Sequence, residues 1–166
     1  MSKSRIEAHD ADAADDGSDV DVAVLEAYVG YNLRRAAARQ RERFRSVFES
    51  YDIRPVLLTT LTVIRNNMPL RQADLGRALE IKRANVVTLL TELEERGLVM
   101  RQPSATDRRS QVIYLTDKGK ETTEKLLTLH DRLEADLARS FGKKELQELV
   151  RLLHAFRSVD ANPKLD

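Results

Sequence analysis

The sequence predicts a mainly α-helical protein with one small β-hairpin, and three patterns lead to that fold class. In several segments of residues 20–93, apolar side chains recur every three or four positions, which is the period of an α-helix. Two short apolar runs, 98–100 and 112–115, are separated by turn-forming residues, as in a hairpin. The helical period returns over 117–159. The order within residues 71–119 is therefore helix, turn, helix and hairpin.

The N-terminal residues predict an acidic tail followed by a long helix. Residues 1–26 hold eight acidic side chains, and residues 1–19 contain few apolar groups, so we expect this tail to be disordered. A solvated tail is favoured over a regulatory one. A single helix is expected over residues 20–51, because the segment contains no proline. Its predicted core stripe is Leu25, Val29, Leu33, Ala36, Gln40, Phe44, Val47 and Tyr51.

Three further helices are expected before the hairpin. Pro55 suits the first turn of a helix over Val56–Asn66. Small and apolar side chains predict a second helix over Arg71–Leu79, followed by a turn at Glu80–Lys82. The third helix is amphipathic, with an apolar face of Val86, Leu89, Leu90 and Leu93. Three acidic residues near its end are expected on a solvated face: Glu92, Glu94 and Glu95.

The predicted hairpin has two strands and is flanked by residues suited to helix ends. Gly97 lies where a helix ends on a positive φ, and the apolar run Leu98–Met100 follows at once. The β-branched and aromatic run Val112–Leu115 supplies the return strand. Thr116 can then cap a helix from Asp117 to about Arg139. A last helix, Lys143 to about Val159, is apolar on a wide face of Leu146, Leu149, Val150, Leu152, Leu153 and Phe156.

Several short motifs follow one another in residues 71–119: Gln72-Ala73-Asp74-Leu75, the run Val86–Glu94, Arg96-Gly97-Leu98-Val99, Asp107-Arg108-Arg109 and Leu115-Thr116-Asp117-Lys118-Gly119. In this order and spacing they resemble the MarR family of bacterial transcriptional regulators, whose fold is the winged helix-turn-helix. The chain departs from the family at Arg71, where Ser or Thr often caps the helix, at Glu80, where a turn glycine is common, and at Val87 and Thr88, where a polar and basic pair is frequent.

The resemblance implies a homodimer that binds double-stranded DNA through a winged helix-turn-helix lobe, with long N- and C-terminal dimerisation helices. The apolar face of the last helix and the start of the first would form the dimer interface. An intramolecular core is the alternative for that face, and the two interpretations are compatible in part. We expect a repressor of a palindromic operator. The expected division is a tail (1–19), an N-terminal dimerisation helix (20–53), a DNA-binding lobe (54–116) and C-terminal dimerisation helices (117–166).

Six residues are expected to contact DNA: Lys82, Arg83, Asn85, Thr88, Arg108 and Arg109. The N-terminal end of a recognition helix enters the major groove, so Asn85, Thr88 and Arg83 are expected at base edges and Lys82 at a phosphate. The last two arginines would lie at the wing tip, and the resemblance implies that one enters the minor groove. The net charge is only +1, but eight of the 27 acidic residues lie within residues 1–26. The duplex would therefore meet a basic surface, formed by Lys82, Arg83, Arg101, Arg108 and Arg109.

A second face of the long first helix suggests a site for a small ligand. Its two phenols can stack on an aromatic ring, and its two guanidinium groups can bind a carboxylate. The resemblance implies an aromatic carboxylate or its acyl-CoA thioester as effector, bound between the dimerisation helices and the DNA-binding lobe. In the alternative, the arginines cover the surface or pair with acidic residues of the other subunit. The candidates are Tyr28, Tyr31, Asn32, Arg35 and Arg39, with Arg65 on the next helix.

The composition disfavours other classes of protein. The absence of cysteine excludes a disulfide framework and a thiolate metal site, and His154 is expected to pack against neighbours and not to bind a metal. No phosphate-binding loop or nucleophile motif occurs, so we expect neither an enzyme nor a cofactor. No apolar run has membrane-spanning length, which favours a cytoplasmic protein associated with the bacterial nucleoid. Two alternatives remain: a ligand-independent regulator, and a winged-helix module for protein–protein assembly without an operator.

Two alanine variants should separate a charge contact from a base contact. Arg108→Ala should weaken binding to every duplex and reduce the slope of log affinity against log salt by about one, because one phosphate neutralisation is lost. Asn85→Ala should instead reduce the ratio of the affinity for the specific duplex to the affinity for a random duplex. Fluorescence anisotropy titrations at several salt concentrations measure both effects. An unchanged salt slope in Arg108→Ala would show that Arg108 does not contribute its charge to DNA binding. An unchanged ratio of the affinities for specific and random duplex in Asn85→Ala would show that Asn85 does not read a base.

Overall fold

The computed structural model describes residues 21–104 and 111–162 of the chain. The predicted disordered tail and the wing-tip residues Arg108 and Arg109 lie outside the described residues. A 3-10 turn at Glu49–Tyr51 joins α2 to α3. The other described elements are α1 (Ala23–Glu26), α2 (Val29–Phe48), α3 (Pro55–Asn67), β1 (Leu70–Arg71), α4 (Gln72–Ala78), α5 (Arg83–Glu95), β2 (Val99–Pro103), β3 (Gln111–Leu115), α6 (Asp117–Phe141) and α7 (Lys143–Arg157). The fold is mainly α with a small β wing, as predicted.

The chain divides into two compact units, and the boundary falls between Ala38 and Arg39 within α2. The second unit contains the rest of α2 and every later element. The division into a tail, two dimerisation regions and a DNA-binding lobe stays a prediction.

The single helix predicted over residues 20–51 is wrong, because the chain is interrupted between α1 and α2. The amide of Asn32 donates to the backbone oxygens of Glu26 (2.7 Å) and Tyr28 (3.0 Å). The side chain thus satisfies a carbonyl at the end of α1 that a continuous helix would pair with a backbone N–H. A local side-chain hydrogen bond therefore accompanies the break.

The predicted core stripe of this segment is buried only near the end of α2. Phe44 is buried, whereas Val29 is 62% exposed and Tyr51 is 46% exposed. Phe48, which the stripe omitted, is fully buried and stacks on Phe44 with ring centroids 4.1 Å apart. The core end of α2 is thus an aromatic pair one helical turn apart.

The wing is a three-stranded antiparallel sheet, which corrects the predicted two-stranded hairpin. The order is β1-β3-β2, and Leu70 of β1 pairs with Ile113 of β3. On the other side of β3, Val99 pairs with Leu115 and Arg101 with Ile113. Strand β1 is two residues long, too short for any periodic pattern to indicate it.

The core lies among the end of α2, the helices α3, α4, α5 and α6, and the sheet. The apolar face predicted for the recognition helix is buried as expected, and Pro55 begins α3, again as predicted. In contrast, Ala73 and Ala78 of α4 are exposed, and only Leu75 is buried there. The largest fully buried apolar side chains are Phe48, Leu57, Leu61, Ile64, Leu75, Leu90, Leu93, Ile113, Leu126 and Val86.

The end of α5, the start of β2 and the start of α6 meet at one junction. Gly97 has φ +67°, its N–H donates to the Glu94 oxygen, and the Leu98 N–H donates to the Leu93 oxygen over 2.9 Å, which is a Schellman cap. The Thr116 hydroxyl donates to the Gly97 oxygen (2.7 Å) and accepts from the Gly119 N–H (2.9 Å). Both the positive φ at Gly97 and the Thr116 cap are confirmed.

The apolar face of α7 has no cover within the part of the chain described here. The helix contains no buried residue; Leu152 is 50% exposed and Phe156 is 49% exposed. Leu146 alone among the apolar residues of this face is half-buried, so an intramolecular core covers only a small part of the face in the single chain. None of the helices described is long and apolar enough to cross a membrane.

Gly119→Ala should destabilise the fold strongly, because an added Cβ would lie 1.9 Å from the Leu98 oxygen. Overpacking a tight site costs about 1–3 kcal/mol, and a backbone atom cannot swing aside as a side chain can. The measurement is the free energy of unfolding from urea titrations. Gly30→Ala is the matched control: nothing lies within 4 Å of its added Cβ, so that change should be neutral or stabilising by up to about 1 kcal/mol. Equal effects of the two variants would contradict the close packing at Gly119.

Candidate DNA-binding surface

The turn between α4 and α5 sets these two helices against each other. A Cβ added at Gly76 would lie 3.2 Å from a Val86 methyl group, so the helices approach closely there. The chain turns at Glu80, whose φ is +55°, and the Ile81 N–H donates to the Gly76 oxygen over 3.1 Å. A residue with a side chain thus adopts the left-handed backbone that the turn needs, at a cost of about 1–2 kcal/mol.

Four predicted DNA contacts lie on the first turns of α5 and are exposed. Lys82 is the N-cap residue, Arg83 begins the helix, and Asn85 and Thr88 follow on its exposed side. The Thr88 hydroxyl donates to the Ala84 oxygen (3.2 Å), which leaves its lone pairs free to accept. Within the described residues, the side chains of the first three have no hydrogen-bond or ion-pair partner. This end of α5 also carries the positive end of the helix dipole.

An open groove of about 970 Å³ lies along this end of α5. Its walls come from α4, the turn, α5 and the first residue of β3. Arg71, Gln72 and Gln111 are polar groups of the groove that the sequence reasoning missed as candidate contacts. Arg71 directly precedes α4 and Gln111 directly precedes the apolar run of β3, so no local sequence pattern indicates that they share a groove. The lining residues are Arg71, Gln72, Ala73, Gly76, Arg77, Glu80, Ile81, Lys82, Arg83, Val86 and Gln111.

The solvated acidic face predicted near the end of α5 is wrong for two of its three residues. Glu92 pairs with Arg54 and with Arg96 (2.8 Å), and Glu94 accepts from Arg101 Nε over 2.8 Å. The hydrogen bond from Arg101 to Glu94 raises the pKa of that guanidinium. Arg101, expected to face the duplex, is thus engaged within the protein. Only Glu95 is exposed as predicted.

The residues predicted to bind an effector fall in both compact units. In the unit that ends at Ala38, Tyr31 lies under Arg34, with the Arg34 Cζ 5.4 Å from the ring centroid. Asn32 is occupied by the backbone of Glu26 and Tyr28, and Arg35 is exposed. In the second unit, the guanidinium of Arg39 donates to Glu42 (2.8 Å), and that of Arg65 donates to Glu124 (2.7 Å). These two arginines pair with acidic residues of their own chain, and the predicted pairing with the other subunit stays a prediction.

An apolar cavity of about 470 Å³ opens between the end of α2, α3 and α6. Neither Arg39 nor Arg65 lines it. Arg41 and His130 are the ionisable groups among its walls, and Phe44 contributes the aromatic ring. Sequence reasoning missed these residues because they come from three helices distant in the chain. The lining residues are Gln40, Arg41, Phe44, Pro55, Leu58, Thr59, Thr62, Val63, Leu127 and His130.

This arrangement of helices and wing, with an exposed polar helix end beside a basic groove, defines a winged helix-turn-helix DNA-binding protein. Comparison with known proteins agrees. The sequence profile of the MarR family matches residues 53–111. A protein of Thauera aromatica, assigned as the transcriptional regulatory protein for the hcr operon, is 31% identical over 134 residues, which are 80% of this chain and 81% of that protein.

Two solved structures of the transcriptional repressor CouR are also similar. The one bound to a 23-mer DNA duplex is 31% identical with a TM-score of 0.80, over 84% of this chain and 99% of CouR. The one bound to p-coumaroyl-CoA is 29% identical with a TM-score of 0.76, over 85% and 99%. The chain belongs to the MarR family of transcriptional regulators. It is a DNA-binding regulator, and the family and these neighbours are regulators of transcription, not enzymes.

Glu80→Gly should raise the free energy of unfolding by up to about 1 kcal/mol, because glycine adopts a positive φ without a Cβ clash. The change also removes an exposed ion pair between Glu80 and Arg157 (3.1 Å), which contributes little. Urea titrations measure the difference. Arg157→Gln removes the same ion pair without changing the turn and serves as the control. A larger loss of stability in Glu80→Gly than in Arg157→Gln would contradict the backbone argument.

Proposed function

We propose that this regulator is a homodimeric repressor that binds a palindromic operator and is released by a small aromatic acid or its coenzyme A thioester. The observation that carries the proposal is the exposed start of α5, where a lysine, an arginine and an asparagine have no partner among the described residues. Buried polar partners would be expected if this surface served packing alone. Its proposed DNA contacts are Lys82, Arg83, Asn85, Thr88, Arg108 and Arg109.

The apolar face of α7 supports the dimer. Its exposed side chains recur at helical spacing on one side of a two-faced helix: Leu149, Val150, Leu152, Leu153 and Phe156. A contiguous apolar surface of this kind favours association with another protein surface. We propose that residues 20–53 and 117–166 form the dimerisation regions around the lobe at 54–116. Two recognition helices would then reach half-sites about 34 Å apart.

The apolar cavity between α2, α3 and α6 is the proposed effector site. Its volume of about 470 Å³ lies within the usual range of ligand pockets, roughly 300–1,000 Å³. The Phe44 ring offers a stacking surface, and the Arg41 guanidinium can bind a carboxylate or a phosphate. The complexes of CouR with DNA and with p-coumaroyl-CoA support both halves of the proposal. Tyr28, Tyr31, Asn32 and Arg35, in the first unit, remain candidates for effector binding in their own right.

Release would follow from linkage between the two sites. A ligand that favours one spacing of the recognition helices lowers DNA affinity by its differential affinity for the two conformations and by no more. We also propose that the protein acts in the cytoplasm at the nucleoid, where its operator lies, and has no catalytic activity.

A gel-shift titration on DNA upstream of the protein's own gene, with excess random competitor, tests the proposal. A specific shift is expected, and p-coumaroyl-CoA or an aromatic acid should abolish it. Arg41→Ala should raise the effector concentration needed for release on the order of tenfold, since a charge-assisted hydrogen bond is lost. Lys125→Ala, which removes an exposed cation elsewhere on the second unit, is the control.

The effector part and the repressor part of the proposal can fail independently in this experiment. A specific shift that no compound disturbs would overturn the effector part and keep the repressor. The absence of a specific shift on any neighbouring fragment would count against an operator near the gene and for an assembly role.

A further inference from the structure

Four charged side chains connect the segment before α3 to the last turn of the recognition helix α5. Arg54 pairs with Glu92, and Arg96 donates from Nη2 both to Glu92 (2.8 Å) and to the Asp52 carboxylate (2.9 Å). Arg96 Nη1 also donates to the Asp52 backbone oxygen over 2.7 Å. Positive and negative groups alternate, so the four residues form one connected chain of ion pairs.

The same segment forms part of the wall of the apolar cavity. Pro55 follows Arg54 directly, begins α3 and lines the cavity. Leu58 and Thr59, on the next turn of α3, line it as well. The four residues 52–55 therefore touch the recognition helix through two charged side chains and the cavity through a proline.

We propose that residues 52–55 act as a strut that transmits the occupancy of the cavity to the recognition helix. Arg54, Glu92 and Arg96 are its positioning residues, and none of them is placed at the DNA. The proposal rests on the proposed effector site, since it gives that cavity a route to the DNA-binding surface. Packed side chains and ion pairs that run without a gap between two sites can carry coupling of this kind.

The geometry favours transmission through this segment. Asp52 has φ +49°, a left-handed backbone, and both its carboxylate and its carbonyl are held by Arg96. The side chains of Glu92 and Arg96 are 24% and 28% exposed, so each contact to the segment has one partner that is largely covered. The outer partners Arg54 and Asp52 are 60% and 89% exposed, so it is the connection of the pairs to one another, and not burial of every partner, that favours this segment. A planar guanidinium that holds three acceptors fixes orientation as well as distance.

The contacts reach α5 at the end opposite to its DNA-binding residues. Arg96 is the C-cap of α5, whereas Lys82 is its N-cap. An α-helix of 13 residues is a stiff rod of about 20 Å, so a movement imposed at one end displaces the other. A change at Pro55 would thus alter the position of the residues that enter the major groove.

A separate ion pair joins α7 to the turn before α5, and it is a weaker candidate for transmitting the occupancy of the cavity. Arg157 bonds to Glu80 at the turn before α5, but these side chains are 67% and 76% exposed. Single exposed pairs contribute little and are screened by salt. Arg54 and Asp52 are also exposed, but their partners Glu92 and Arg96 are largely covered and bond to each other, so the Asp52–Arg96 and Arg54–Glu92 contacts are the ones to test.

The experiment fills the cavity by mutation and asks whether the strut carries the effect. Thr59→Trp and Thr62→Trp place a bulky ring at the wall of the cavity, and each is made in three backgrounds: otherwise native, Arg54→Gln and Glu92→Gln. Glu121→Gln, which breaks an exposed ion pair within α6, is the matched control background. The readouts are affinity for the shifted DNA fragment and amide hydrogen exchange along α5.

In the native and Glu121→Gln backgrounds, at least one tryptophan variant should lower DNA affinity about tenfold and speed exchange in α5, within the usual range of allosteric coupling. In the Arg54→Gln and Glu92→Gln backgrounds the same change should cost less than about threefold, because the route is cut. A merely structural role would lower stability in these backgrounds and leave the tryptophan effect unchanged.

Two results overturn the strut: equal effects of the tryptophan variants in all backgrounds, or no effect of either variant in any background. Failure of the proposed function would give different experimental results. If no DNA fragment is bound specifically, the repressor fails while hydrogen exchange still decides the strut. If p-coumaroyl-CoA and the aromatic acids do not bind, the effector class fails while the tryptophan variants still decide it.

Discussion

The fold depends on the close approach of the backbone at Gly119 to the carbonyl oxygen of Leu98, where any Cβ would lie at 1.9 Å. At this place α5 has just ended, β2 is about to begin and α6 starts. The Thr116 side chain holds the Gly97 carbonyl and the Gly119 N–H together, while Lys118 donates to the Arg96 oxygen over 2.7 Å. The orientation of the recognition helix, the root of the wing and the direction of α6 are thus fixed at one point.

The charged side chains of the lobe divide into two groups with different tasks. Arg54, Arg96 and Arg101 satisfy acidic groups of α5 and hold that helix in place. Lys82 and Arg83, at the opposite end, find no acidic partner in the described residues. Internal pairing occupies the cations at one end of the helix and leaves those at the other end available. In the proposed mode of binding, this concentrates the attraction for phosphate at the end that would contact the bases.

The features that the sequence predicted correctly depend on local chemistry. Gly97, Thr116 and Pro55 each mark a helix end through their own backbone preference or side chain, so neighbours of a few residues suffice. Some features that it missed are local, such as the break between α1 and α2, but others depend on distant partners. Glu92 carries the pattern of a solvated acid until Arg54, 38 residues earlier, is brought beside it. The cavity likewise exists only once three helices are packed, so no single stretch could indicate its lining.

The uncovered apolar face of α7 has a consequence for genetics. In the proposed dimer this helix pairs two chains regardless of the state of their recognition helices. A chain with an altered recognition helix and an intact α7 would still associate with a normal chain. The resulting mixed dimer would have only one functional recognition helix for the two half-sites of the operator. Loss-of-function alleles in the lobe would therefore behave as dominant over the normal gene, whereas alleles that disrupt α7 would be recessive.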